Sequence, residues 1–200
     1  DTPKHIKAAA IRAIEENKTK YTPAAGTVEL RKAVAKKFKE ENGLDYNFTN
    51  IVISNGAKHS LVNAFMAVLN PGDEVIIPAP FWVSYPEMVK LADGVPKTLC
   101  TKEENNFKPT AEDIKNAITD KTKAIIINSP SNPTGMVYTE DELRAIADIA
   151  VENNIFVISD EIYEHLIYEG KHVSIASFND KIKDLTIVIN GVSKTYAMTG

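Results

Sequence analysis

The chain of 200 residues has a single cysteine, Cys100, so no disulfide closes within it. That usage fits a reducing, cytoplasmic setting. Cys100 falls in an expected strand and reads as a core residue. No apolar run approaches the length of a bilayer span, and no signal-peptide pattern is visible, so a membrane role is not expected. Positive charge is not in excess: 23 Lys and Arg stand against 27 Asp and Glu, a net charge of −4. That balance leaves no electrostatic footprint for nucleic acid or an anionic lipid surface. Neither G-x-x-x-x-G-K-[ST] nor G-x-G-x-x-G occurs, which removes the Walker loop and the dinucleotide fingerprint of a nucleotide-binding domain. No second His or Cys lies at metal-ligand spacing from His165, which therefore reads as a packed or surface residue.

What is present is an ordinary globular composition, 44% hydrophobic and 25% charged, enough for one sizeable domain. Asp1-Thr2-Pro3 reads as a helix start with a capping side chain followed by proline. Thr27 can cap a second helix carrying Leu30, Val34 and Phe38, ended by Asn42-Gly43. From Ile51 the pattern becomes strand, helix, strand, helix. Strands are expected at Ile51–Ile53, Glu74–Ile77, Pro96–Cys100 and Lys123–Asn128. Two more end near Asp160 and Asn190. Helices are expected after Gly56, over Phe81–Leu91, after the capping pattern Thr110-Ala111-Glu112-Asp113, and after Thr139-Glu140-Asp141-Glu142. Strand–helix alternation at this spacing implies an α/β fold of three layers, a mostly parallel sheet with helices on both faces. The first 45 residues are helical and read as a separate N-terminal segment, with residues 46–200 as the main domain.

Asp160 and Lys194 each follow a run of branched apolar residues of the kind that forms a strand buried on both faces. Ligands of open parallel sheets sit beyond the carboxyl ends of the strands, so a carboxylate and an amine are expected in one crevice. A lysine desolvated there would be a nucleophile. Most lysines are simply solvated, and a buried Asp is as often a cap or an ion-pair partner. Ser54-Asn55-Gly56-Ala57-Lys58 joins a strand to a helix, where free N–H groups and the helix dipole suit an anion; a plain tight turn reads equally well. Phe81-Trp82-Val83-Ser84-Tyr85 could stack an aromatic on a planar ring or merely pack the core. Asn132, in the rigid turn Asn128–Gly135, could donate its amide to a phenolate oxygen, although the turn could be an ordinary connection.

Three motifs in order, Asn132-Pro133-Thr134-Gly135, Ser159-Asp160-Glu161-Ile162-Tyr163 and Ser193-Lys194-Thr195-Tyr196-Ala197-Met198-Thr199-Gly200, closely resemble the class I aminotransferases of PLP fold type I, in the bacterial aspartate aminotransferase branch. The resemblance runs over essentially the whole chain. It implies pyridoxal 5′-phosphate as cofactor and transfer of an amino group between an amino acid, aspartate foremost, and a 2-oxo acid. Lys194 is similar to the lysine that holds PLP as an aldimine, and its freed amine would move a proton during transfer. Asp160 resembles the carboxylate that keeps the pyridine nitrogen protonated. The resemblance assigns Tyr163 and Asn132 to the phenolate oxygen and Trp82 to stacking on the ring. It puts Gly56, Ala57 and Lys58 in the phosphate cradle and Ser193 beside the cofactor lysine. Tyr21 is similar to a tyrosine reaching a phosphate in the neighbouring subunit, which implies a homodimer with shared sites.

The sequence also departs from the pattern. The family continues past Thr199-Gly200 with Trp-Arg, and that arginine holds the phosphate. Its small C-terminal domain carries the arginine for the substrate carboxylate, and an N-terminal glycine-bearing segment closes over substrate. With none of these in the 200 residues, the chain reads as a fragment holding an incomplete large domain, and by itself it is expected to be inactive. Gly191 stands where some relatives have a phosphate-binding serine. A PLP-dependent lyase shares the same Asp–Lys pair, and an aminotransferase-like ligand-sensing domain of a regulator shares the same fold.

Overall fold

Branched residues alternating along the central strands decide the layers. The computed structural model describes all 200 residues. Its elements are α1 (Lys4–Glu15), α2 (Val28–Asn42), α3 (Ala57–Val68), β1 (Glu74–Ala79), α4 (Ser84–Leu91), β2 (Val95–Cys100), α5 (Ala111–Ala117), β3 (Thr122–Asn128), α6 (Glu140–Asn153), β4 (Phe156–Asp160), α7 (Asp180–Asp184), β5 (Thr186–Ile189) and the single turn α8 (Val192–Thr195). Ile125, Ile127, Ile76 and Val157 meet Ile114, Leu143, Ile146, Ile149 and Ile182 on one face. Ala124, Ile126, Val75, Ile77 and Ile158 meet Leu61, Phe65, Met88 and Val89 on the other. The period of two along a strand produces both cores from one segment. Each isoleucine buried this fully contributes about 2 kcal/mol.

All five strands are parallel, in the order β2-β1-β3-β4-β5. The α/β three-layer expectation therefore holds. Asn128 pairs in register with Asp160, and Asp160 with Ile189, so β3, β4 and β5 end level. Capping boxes start α5 at Thr110 and α6 at Thr139, and Gly43, with φ 69°, ends α2. A third cluster packs Ala35 and Phe38 of α2 on Leu44, Ile51 and Ala176, against Val188 of β5. No helix is long and apolar enough to cross a membrane.

Several local expectations are corrected. Ile51–Ile53 is extended but forms no strand: Ile53 N–H bonds only the Ala25 carbonyl, and a strand needs a ladder partner. Cys100 is exposed rather than core, because β2 is an edge strand whose end residue faces outward. β5 is the other edge, with two of its four residues only half-buried, not a strand covered on both sides. Neither Asp1 nor Thr2 caps α1. Pro3 is its N-cap residue, and the Thr2 hydroxyl donates instead to the Ala197 carbonyl at 2.5 Å. The helix expected from Phe81 starts at Ser84, leaving Phe81–Val83 in the turn after β1.

Candidate active site

Parallel strands bring their carboxyl ends to one edge of the sheet, and the chemistry collects there. At the end of β4, Asp160 is 2% exposed. The Tyr85 hydroxyl of α4 donates to its Oδ2 at 2.6 Å, and the Ile162 N–H donates to Oδ1 at 3.3 Å. Burial pushes the Asp160 carboxyl up to about 6. The bonds from Tyr85 and Ile162 oppose that rise, and the neighbouring Glu161 carboxylate adds to it. A carboxylate so buried calls for a cationic partner, and no lysine, arginine or histidine of the chain supplies one.

Asn128, at the end of β3, clasps two neighbours. Its Nδ2 donates to the Asp160 carbonyl at 3.0 Å, and its Oδ1 accepts from the Asn132 N–H at 2.7 Å. That clasp fixes the turn carrying Asn132 beside Asp160. Trp82, after β1, stands edge-to-face on Tyr85 with centroids 5.5 Å apart, and the Lys58 ammonium lies 4.9 Å from the Trp82 ring centroid. One contact series thus runs Lys58, Trp82, Tyr85, Asp160. Past β5, the Lys194 amine lies 5.9 Å from the Tyr163 ring centroid.

Gly56 has φ 87°, a conformation that disfavours other residues, and a Cβ built on it would meet no atom within 4 Å. It opens α3, and the N–H groups of Ala57 and Lys58 make no backbone hydrogen bond within the chain. Open space, free N–H donors and a helix N-terminus suit a phosphate. At Gly191 a Cβ would come 2.9 Å from Ile162 Cδ1. A side chain there would require only the tip of Ile162 to shift, so the contact does not by itself demand glycine.

One expectation about an individual residue changes. Lys194 is exposed within these 200 residues and sits in the short turn α8, not at the end of β5. Tyr21 is fully exposed on its own chain. Ser193 is half-buried in α8 beside Lys194.

The sequence reading missed Tyr85 as an Asp160 partner. The available signal was a lone hydroxyl on the apolar stripe shared with Met88 and Val89, where a buried phenol needs an acceptor. It also missed a polar network behind the site. Glu161 accepts from Ser159 at 2.8 Å and Ser174 at 2.7 Å, and its other oxygen meets His172 Nε2 at 2.8 Å. Glu164 pairs with Lys37 and accepts from Asn42 at 2.7 Å. Burial works against ionisation of Glu164, but the Lys37 and Asn42 contacts outweigh it and hold its carboxyl below the usual range. Glu161, Glu164 and His172 lie close enough to share a cation, yet Lys37 already supplies the positive charge.

A sequence profile described as aminotransferase class I and II matches residues 1–200. The aspartate aminotransferase of Bacillus sp. (strain YM-2) is 58% identical over 201 residues, covering all of this chain and 51% of the relative. The aspartate/prephenate aminotransferase of Thermus thermophilus is 50% identical, with 51% of it covered. Among solved structures, Thermus thermophilus aspartate aminotransferase with maleate superposes with a TM-score of 0.97 at 50% identity, over all of this chain and 52% of that one. The aromatic aminotransferase of Pyrococcus horikoshii gives the same TM-score at 46% identity, with 54% of it covered. The chain spans about half the length of the curated relatives it matches.

Proposed function

Because this chain belongs to the class I and II aminotransferase family, we propose that the complete protein carrying it is a PLP-dependent aminotransferase. It moves an amino group between an amino acid, aspartate first, and a 2-oxo acid. Aspartate is named for the Bacillus and Thermus relatives. The observation that carries the reading is Asp160, a buried carboxylate without a cation, at the end of β4, on the side of the sheet where the chain leaving β5 carries Lys194 in α8. A pyridinium N–H is the partner such a group lacks.

PLP bound there supplies an electron sink for the bonding pair released at the substrate α-carbon. Asp160 would accept the ring N–H and keep that nitrogen protonated. Asn132 and Tyr163 would hydrogen-bond the phenolate oxygen, and the Trp82 ring would stack on the cofactor. The free N–H groups of Ala57 and Lys58 at the start of α3 would receive the phosphate, with Gly56 leaving room for it, and Ser193 would add a hydroxyl. Lys194 would hold the cofactor through Nζ, and its amine is the group that would move a proton at the substrate α-carbon. Tyr21, exposed on its own protomer, reaches the partner's phosphate in a homodimer. In this reading residues 1–45 form an N-terminal helical segment, residues 46–200 the cofactor-binding large domain, and further sequence a small domain that holds the substrate carboxylate. The cytoplasm is the compartment this reading implies, consistent with one cysteine and no disulfide.

The test is a panel of amino donors and 2-oxo acids on the complete protein. Aspartate with 2-oxoglutarate is expected to give glutamate and oxaloacetate. Release of ammonia or of a side-chain fragment, with no amino transfer to any 2-oxo acid, would replace the reading with a lyase.

A further inference from the structure

We propose that Tyr85 is a positioning residue for Asp160: its hydroxyl holds the carboxylate ionised and in one orientation, ready to receive the ring nitrogen. The inference deepens the PLP reading above and rests on it for its functional meaning. The geometry itself does not depend on a cofactor.

Asp160 has little else to keep it charged. It is 2% exposed, burial disfavours its charge, and its acidic neighbour Glu161 opposes ionisation. Two donors act the other way, and they are unequal. The Tyr85 hydroxyl reaches Oδ2 at 2.6 Å, a length typical of a strong bond to an anion, while the Ile162 N–H stands at 3.3 Å from Oδ1. Oδ2 is therefore pinned, and Oδ1, with only the longer bond, keeps a lone pair for a further donor. Tyr85 is suited to the task because it stays a phenol. Burial and the Asp160 charge beside it, with Tyr163 adding a little, push its own ionisation well above the usual range, so it remains a donor wherever Asp160 titrates.

Tyr85 also sets the Trp82 ring through their edge-to-face contact. One side chain thus anchors the carboxylate and braces the aromatic assigned to stacking. Its position three residues after Trp82 puts both on one side of the turn that opens α4. Tyr85→Phe separates the two roles, since it keeps the ring and removes only the hydroxyl.

The experiment follows the Asp160 carboxyl by NMR in the complete protein carrying carbon-13-labelled aspartate and no cofactor, with the signal assigned through Asp160→Asn. Tyr85→Phe is expected to raise its titration midpoint by about one unit, the scale of one hydrogen bond to a charged group. A ring-fluorinated tyrosine at position 85, a more acidic phenol and stronger donor, is expected to lower it. That second variant decides the matter if Tyr85→Phe does not fold. The same proteins are then loaded with nitrogen-15-labelled PLP. In Tyr85→Phe the ring-nitrogen signal is expected to move toward the unprotonated position, with kcat falling about fivefold or more and the KM for the amino donor little changed. An Asp160 midpoint unmoved by either variant overturns the proposal, as does a shifted midpoint with an unaltered ring nitrogen. If the parent protein takes up no PLP, the PLP reading fails while the Asp160 titration still reports on Tyr85.

Discussion

With its side chain 2% exposed and no cation of the chain beside it, Asp160 ionises against the interest of the fold. Its carboxyl rises from 3.8 to about 6 on folding, which corresponds to about 3 kcal/mol when the group is fully charged. The folded state holds the proton more tightly than the unfolded state. The stabilising contribution is thus complete below 3.8 and is lost as the pH rises through about 6. Asp160→Asn is therefore expected to stabilise the cofactor-free complete protein above about pH 6, by up to ~3 kcal/mol, with the advantage gone below pH 3.8. Denaturant titrations at both ends of that window measure it, and a variant no more stable than the parent at the upper end refutes the assignment of cost. The importance of Asp160 was legible in the sequence, because a carboxylate ending an apolar strand needs a partner. The partner itself was not. Tyr85 lies 75 residues away in sequence, and only the crossover from β1 through α4 brings it beneath β4. Lys37 and Glu164 are separated still further, by 127 residues.

The helix starts at Thr27, Thr110 and Thr139 were read correctly from local chemistry, whereas the cap expected from Asp1-Thr2 does not form. The Thr110–Asp113 and Thr139–Glu142 boxes both form, with side chain and backbone satisfying each other across three residues. Thr139→Ala in the complete protein is expected to cost about 1 kcal/mol. The midpoint of chemical denaturation checks this, and an unchanged midpoint would show that α6 is held by its packing alone. Elements that depend on a neighbour were less legible. Ile51–Ile53 has the composition of a strand, but pairing belongs to the sheet and not to the segment, and no strand lies alongside it. Cys100 has a strand's sequence surroundings, yet its exposure follows from β2 standing at the edge. Lys194 was expected at a strand end, but β5 stops at Ile189 and the lysine lies exposed in α8, because the chain turns at Asn190-Gly191 into a new helical turn.

At the scale of the whole molecule, the sheet order puts Asn128, Asp160 and the turn bearing Lys194 on neighbouring strands β3, β4 and β5. Its two edges and the unburied helix α1, with Ile11 and Ile14 exposed, stay open. Open strand edges and uncovered apolar side chains favour association. The 200 residues expressed alone are accordingly expected to show little or no transamination of aspartate with 2-oxoglutarate beside the complete protein. The chain spans about half the length of the relatives it matches, and positioning of a substrate can supply several kcal/mol of the barrier. Equal specific activity from both would show that the residues described here suffice.

The central claim is that Lys194 holds the cofactor opposite Asp160, and borohydride reduction of the PLP-loaded complete protein followed by peptide mapping tests it most directly. The label is expected on Lys194 alone, in the peptide spanning Val192–Thr195. A label on Lys58, whose ammonium lies over the Trp82 ring, or on any other lysine, would contradict the account.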